Sequence, residues 1–235
     1  MNVLKETLLN LHFFHKISPK ENKYIILLFS LLLIMVVSPF FQDSHMARFY
    51  FSFLISLVLA TSFYADIELK RIDYIELLLG GLALFFTWLE FFLPDIDTID
   101  FLTQLIYALF FLYFTIELIS KITISNEVSA NLIYASIVGF LMLGLCGASL
   151  ASLLQWAVAN AYSLPQNVSA HKFENFIYYS FVTITTVGYG DMLPIHPASK
   201  MLAILLCISG HFYTTIVLAL IIGKFISGNK NSRHI

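Results

Sequence analysis

Charged residues are scarce in this chain. Only 12% of its 235 residues are Asp, Glu, Lys or Arg, whereas 59% are hydrophobic, and the mean hydropathy is +0.82. A soluble domain of this length needs more charge to remain dissolved, so we expect a lipid bilayer to be its solvent. The net charge of −2 comes without a basic block, and no nucleic-acid partner is expected.

Cysteine is also scarce, and recognisable catalytic groups are missing. The two cysteines, Cys146 and Cys207, lie in apolar segments, which argues against a disulfide framework. The sequence has no cluster of nucleophile, general base and metal ligands, so we expect neither enzymatic activity nor a cofactor. The first residues do not have the pattern of a cleavable signal peptide.

Long apolar runs are abundant. A membrane-spanning helix needs about 20 apolar residues. The sequence has six such runs, at residues 23–41, 49–65, 74–93, 101–120, 130–159 and 198–227. A seventh run, Phe173–Ile184, is too short to span a bilayer, so we expect a re-entrant helix that other protein segments bury.

Basic residues are distributed unequally between the two sides of these runs. If the N-terminus is inside, all but three of the 13 basic residues lie on the inner side. The exceptions are Arg48, Lys172 and Lys200. Because basic residues favour the cytoplasmic side, both termini are predicted to be cytoplasmic. The loop that follows residue 184 is then on the outer side.

That loop contains two closely spaced glycines. It reads Thr185-Thr186-Val187-Gly188-Tyr189-Gly190-Asp191. Rings of backbone carbonyl oxygens can replace the hydration shell of a potassium ion. Successive carbonyls that face one axis require dihedral angles that L-residues resist, so Gly188 and Gly190 are predicted at positive φ. The carbonyls of Thr186, Val187, Gly188 and Tyr189 are the candidate K⁺ ligands, together with the Thr186 hydroxyl.

The segment FIYYSFVTITTVGYGDMLP, from Phe176 to Pro194, resembles the pore helix and selectivity filter of tetrameric potassium channels. The six-helix layout is similar to compact prokaryotic members of the voltage-gated potassium channel superfamily. The specific similarity covers the last two long runs and the segment between them, whereas the first four runs agree only in number and topology. The resemblance implies an all-α homotetramer in which each chain contributes one filter loop and potassium passes without catalysis.

This resemblance also implies a division of the chain. Residues 1–22 form a cytoplasmic segment, either an amphipathic surface helix or a solvated lead-in. Residues 23–122 form a four-helix peripheral membrane domain, residues 128–227 form the pore domain, and residues 228–235 form a cytoplasmic tail. The expected location is the cell membrane. The expected partners are further copies of the chain and lipids, and the only expected ligand is the permeant K⁺.

The residues around the loop depart from the family in ways that affect the support of the filter. Many members have tryptophans where this chain has Tyr178 and Tyr179, and some prokaryotic channels have a glutamate at the position of Val182. Asp191 matches an acidic residue outside the filter, and by resemblance it accepts a hydrogen bond from Tyr178. With Thr185, these residues are the predicted filter support.

The last apolar run matches the pore-lining helix of the family. Gly210 stands where the family often has a hinge, although close helix packing explains a glycine equally well. His211, Thr214 and Leu218 share one helical face that by resemblance lines the cavity below the filter. The alternative for His211 is a neutral side chain packed against the fifth or the pore helix. Small residues of the fifth run, at 139, 144, 147, 148 and 151, are expected to serve packing.

The fourth apolar run lacks the basic residues of a voltage sensor. It has no Lys or Arg before Lys121, and its acidic residue Glu117 stands four positions earlier, at a helical pairing distance. We therefore expect conduction to depend only weakly on voltage. Glu76 and Glu90 of the third run are either proton- or lipid-sensing groups or, as we favour, carboxylates solvated at the membrane interface.

Three other interpretations remain open from the sequence. The chain can be a subunit that modifies other channels through hetero-assembly, or a potassium transporter with filter-like loops. Such transporters usually carry several degenerate loops in one chain, whereas this chain has a single complete one. The third interpretation is a glycine turn in an unrelated membrane protein.

Overall fold

The structure is a computed structural model of the 235-residue chain, and it describes residues 23–37, 45–67, 74–94, 96–125, 129–163 and 173–231. The predictions for residues 1–22 and for the end of the tail fall outside these residues.

Four helices make up the first part of the described chain. They are α1 (Lys23–Val37), α2 (His45–Ile67), α3 (Tyr74–Phe92) and α4 (Asp97–Ile124). The first turn of α4 contains Asp97 and Asp100, and its last turn contains Lys121. The acidic residues therefore lie at the positive end of the helix dipole and the lysine at its negative end, and both placements are stabilising.

The second part contains three helices and a small sheet. These elements are α5 (Ala130–Ala157), β1 (Tyr162–Ser163), α6 (Phe173–Ile184), β2 (Leu193–Pro194) and α7 (Pro197–Asn231). Ser129 caps the start of helix α5, because the amide of Leu132 donates both to its side-chain oxygen, at 3.2 Å, and to its carbonyl oxygen, at 3.1 Å. Helix α6 has the bounds predicted for the short run.

Five helices of the described residues are long and apolar enough to cross a membrane, namely α2, α3, α4, α5 and α7. This result, together with the largely helical chain, indicates a membrane protein. Helix α1 is apolar but has only 15 residues in the described part, fewer than the roughly 20 that a span requires. The sixth membrane span therefore stays a prediction.

Helix α5 occupies the centre of the described chain, with α1 and α4 against it on one side and α6 and α7 on another. Its contact surface toward α6 and α7 is built from glycines. A Cβ at Gly139 would meet Tyr213, one at Gly144 would meet Phe181, and one at Gly147 would meet Ser180 and Leu206. The predicted packing role of these small residues agrees with these contacts.

The first four helices pack mainly through large side chains, although a Cβ at Gly80 of α3 would also meet the rings of Phe63 and Phe110. Phe110, Phe111 and Phe114 of α4 are completely buried, and the rings of Phe110 and Phe114 stack at 6.0 Å. A few hydroxyl pairs join neighbouring helices, such as Ser30 with Thr61 at 2.9 Å.

Glu76 differs from our expectation of a carboxylate solvated at the interface. It lies in the first turn of α3 and is only 3% exposed. Glu90, near the other end of α3, is partly buried beside Asp100 and Thr103 of α4.

Candidate functional site

The short helix α6 is anchored to α5 by a buried hydrogen bond. The hydroxyl of Ser180, which is fully buried, donates to the carbonyl oxygen of Gly144 at 2.7 Å. The ring of Phe181 fills the space that a side chain at position 144 would need. Glycine at this position therefore lets α6 approach α5 closely enough for the hydrogen bond to form.

The beginning of α6 is held by aromatic contacts with the peripheral helices. Phe173 is the first residue of α6. The centre of its ring lies 6.0 Å from the ring centre of Phe51 in α2 and 5.8 Å from that of Tyr107 in α4. The Tyr107 hydroxyl in turn shares a 2.6 Å hydrogen bond with Thr87 of α3. The position of α6 is thus set by three peripheral helices as well as by α5.

The segment before α6 pairs with the segment that follows the glycine loop. Strands β1 and β2 pair antiparallel, with Tyr162 opposite Pro194. The Tyr162 ring contacts Tyr179 of α6 at 4.9 Å, and the Ser199 hydroxyl donates to the Ala161 carbonyl at 2.7 Å. The loop is therefore connected at both ends to fixed elements.

The loop itself has alternating backbone handedness. Gly188 has φ +56° and Gly190 has φ +81°, as predicted from the sequence. Thr186 also has a positive φ, at 60°, whereas Val187 and Tyr189 do not. Residues of alternating handedness turn successive peptide groups to the same side. A backbone of this kind can present consecutive carbonyl oxygens to one ligand.

The last turn of α6 binds the base of the loop through backbone hydrogen bonds. The carbonyl of Val182 accepts from the amide of Val187 at 3.1 Å and from that of Gly188 at 3.2 Å. The Thr186 amide donates to the Thr183 carbonyl at 3.0 Å. Residue 182 thus supports the loop through its backbone, and this support does not depend on a carboxylate side chain at that position.

A side-chain hydrogen bond closes the other end of the loop. The hydroxyl of Tyr178 donates to Oδ2 of Asp191 at 2.6 Å, the contact that the family resemblance implied. This hydrogen bond holds the pKa of Asp191 below its ordinary value. The same contact raises the pKa of Tyr178 to about 12. The proton therefore stays on the phenol and the charge stays on the carboxylate throughout the neutral pH range.

A pocket of about 150 Å³ lies behind the loop, and its wall includes Tyr178, Tyr179, Val182, Gly188 and Asp191. Several predicted support residues therefore surround one space. Thr185 directly follows α6, and its hydroxyl donates to the Phe181 carbonyl at 2.6 Å.

Gly210 permits the closest approach of α7 to α6. A Cβ at this position would collide with the carbonyl oxygen of Ile184, the last residue of α6. Helix α7 is continuous through this point. The packing explanation for Gly210 therefore has direct structural support, and the hinge stays a hypothesis.

The predicted cavity residues lie on an exposed face of α7. His211, Thr214 and Leu218 are all exposed, and the neighbouring Tyr213 and Val217 are buried against the chain. His211 is therefore exposed in the single chain, and both explanations for it stay predictions.

Sequence reasoning missed two features of this site. The positive φ of Thr186 has no sequence signal, because a β-branched residue normally disfavours this conformation. The double hydrogen bond at the Val182 carbonyl was also missed, because a backbone acceptor leaves no trace in residue type.

Comparison with known proteins addresses the same region. Residues 149–227 match a family model described as an ion channel. This segment is similar to ion-channel domains. It contains the end of α5, the whole of α6, the glycine loop and most of α7, so the match supports passive ion conduction through this part of a membrane protein. No curated protein and no solved structure gave a significant match.

Proposed function

We propose that this protein is a potassium-selective channel, formed by four copies of the chain that each contribute one filter loop. The observation that carries the proposal is the loop Thr186–Gly190, whose φ alternates in sign, directly after a short helix and between two long apolar helices. The ion-channel match over residues 149–227 supports conduction in general, and the loop supports the choice of ion.

The potassium ligands would be neutral oxygens of the backbone. Carbonyl groups of Thr186, Val187, Gly188 and Tyr189 would form the rings, and the Thr186 hydroxyl would complete the innermost one. The carboxyl end of α6 lies directly before this loop, so the negative end of its dipole would favour a cation there. No cofactor or enzymatic step is required.

A tetramer is favoured by what a single chain leaves uncovered. In the filter loop, Tyr189 is 73% exposed and Val187 is 52% exposed. Along α7, lipid as well as protein can cover the exposed apolar stripe of Ile204, Ile208, Phe212 and Ile216, so the exposed loop residues favour a tetramer more than this stripe does. Further copies of the same chain around a central axis would cover these side chains. Mixed assembly with related subunits would bury the same surfaces.

The proposed location is the cell membrane, with both termini cytoplasmic and the filter loop outside. The proposed dependence on voltage is weak, because Lys121, the single basic residue of α4, is paired with Glu117 at 2.8 Å, and the other charged residues of this helix, Asp97 and Asp100, lie in its first turn. Opposite charges that move together across the membrane field transfer no net charge.

His211 is the proposed proton-sensitive group of the cavity. With four copies, the exposed His211 side chains would surround the ion path, where a protonated imidazole would add positive charge. Added positive charge would repel potassium and reduce current. Acidification of the side opposite the filter should therefore inhibit the original protein more strongly than it inhibits the His211→Gln variant. Identical inhibition curves would remove His211 from the mechanism.

Reconstitution into liposomes tests the proposed function. The purified protein alone should release potassium and rubidium without an energy source, should pass little sodium, and should be blocked by barium. A modifying subunit would show no flux without a partner, and a transporter would require an ion gradient or another energy source. Equal sodium and potassium flux would contradict the proposal.

A further inference from the structure

The carboxyl end of α4 and the final turns of α7 are joined by one lysine. Lys224 of α7 donates to the backbone carbonyl of Ile122, and its Nζ lies 3.0 Å from the carbonyl oxygen of Thr123. The two partners belong to the last turn of α4, about 100 residues earlier in the sequence. The contact is therefore a direct bond between a peripheral helix and the candidate pore-lining helix.

The chemistry of a helix end favours this contact. The last four carbonyls of an α-helix lack partners within the helix, and they form the negative end of its dipole. The amide of Ser125 satisfies the carbonyl of Lys121, whereas the ammonium of Lys224 satisfies the next two carbonyls. A lysine can supply several donors to such a site.

Lys224 lies on the buried face of α7. It follows Gly210, Tyr213 and Val217 at intervals of 14, 11 and 7 residues, which place all four on one side of the helix. All three of these residues are buried toward α5 and α6. The contact therefore holds the end of α7 close to α4.

At the same level of α7, the exposed face favours association between copies of the helix, which would narrow a passage between them. The stripe of His211, Thr214 and Leu218 continues with Ile222 and Phe225, which are 49% and 65% exposed. Four copies of such apolar side chains around an axis would come together to bury their surface, and an apolar constriction stops ions by excluding water.

We propose that Lys224 is a positioning residue of the pore, which holds the end of α7 against α4 and so keeps the passage at Ile222 and Phe225 open. This inference rests on the proposed channel function. It assigns a role in conduction to the peripheral helices that needs no sensor charges, because α4 acts through the carbonyl groups of its last turn.

Single-channel recording of the full-length protein in planar bilayers tests this role. Lys224→Met should lower the open fraction about two- to five-fold, a factor set by the usual strength of a charge at a helix end. The current through one open channel should not change. Lys224→Arg should keep the open fraction of the original protein. Lys121→Met removes the positive charge that pairs with Glu117 in the same part of α4 but keeps Lys224 itself, and it should also have little effect.

A second variant separates positioning from simple damage. Phe225→Ala removes apolar surface from the exposed face, so the double variant Lys224→Met, Phe225→Ala should regain a large part of the open fraction. If Lys224→Met does not assemble, Lys224→Gln, which keeps a neutral donor, should show an intermediate decrease. An unchanged or higher open fraction in Lys224→Met, or a failure of Phe225→Ala to restore opening, would overturn the inference. Absence of potassium current in the original protein would instead overturn the proposed function.

Discussion

Two parts of the chain hold their helices together differently: the proposed pore region, α5 to α7, and the proposed peripheral region, α1 to α4. In the pore region, glycines bring backbones close together, and polar side chains bind backbone carbonyls, as Ser180 does at Gly144. In the peripheral region, buried phenylalanines of α4 fill much of the space between helices, and the close contact at Gly80 of α3 is with the ring of Phe63. The pore region therefore depends on contacts that reach backbone atoms, which cannot rotate away, whereas the peripheral region depends mainly on side-chain shape and volume, which several residue types can supply.

The strongest test of this difference compares two glycines with open space around them. Gly188→Ala should abolish selective conduction, because a Cβ at φ +56° costs about 1–2 kcal/mol in each copy and shifts the carbonyls of the loop. Gly81→Ala, in the peripheral helix α3, should leave flux unchanged, because alanine at a helical position stabilises by up to about 1 kcal/mol. Rubidium uptake into liposomes measures both. Selective uptake by Gly188→Ala would show that the dihedral angle is not required.

The second test compares two glycines of α7. Gly210→Ala should reduce both assembled protein and flux, because its Cβ meets the Ile184 carbonyl and such overpacking costs about 1–3 kcal/mol. Gly223→Ala, on the same helix, has open space for a Cβ and serves as the control. Thermal melting of the purified protein and potassium flux check the pair. Equal melting temperatures would remove the close approach of α6 and α7 from our account.

The third test concerns the hydrogen bond between Tyr178 and Asp191. Since this bond lowers the pKa of Asp191, its stabilisation is present above the ordinary aspartate pKa and is lost as the pH falls through the lowered value. Tyr178→Phe should therefore move the loss of flux on filter-side acidification to a higher pH, and flux at neutral pH should decrease only in part. Flux against pH measures this, with Tyr64→Phe, on a peripheral helix, as the control. Superimposable pH curves for Tyr178→Phe and the original protein would contradict the predicted role.

The smallest effect is expected for voltage. Each charge that crosses the full field supplies about 2.3 kcal/mol per 100 mV, and the single basic residue of α4, Lys121, is neutralised by its pair with Glu117. Conductance should therefore change little with voltage in the original protein and in the double variant Glu117→Gln, Lys121→Met. A steep sigmoidal conductance–voltage curve, with gating charge from the peripheral helices, would contradict the predicted weak dependence on voltage.

Sequence reasoning succeeded where one residue type carries a backbone requirement. The bounds of α6 and the positive φ of Gly188 and Gly190 followed from run length and glycine position. Sequence reasoning was less successful where contacts between helices determine the burial or the position of a side chain. The burial of Glu76 and the position of Lys224 against α4 depend on which helices are neighbours, and the apolar runs of the peripheral region do not determine this order.

The most direct test of potassium selection is the reversal potential of the protein in a planar bilayer, with potassium on one side and an equal concentration of sodium on the other. We expect the current to reverse far from zero, at a potential that is positive on the sodium side, because potassium alone would carry current. The Gly188→Ala protein provides the comparison under the same conditions. A reversal at zero millivolts in the original protein would mean equal permeability and would contradict potassium selection by the loop Thr186–Gly190.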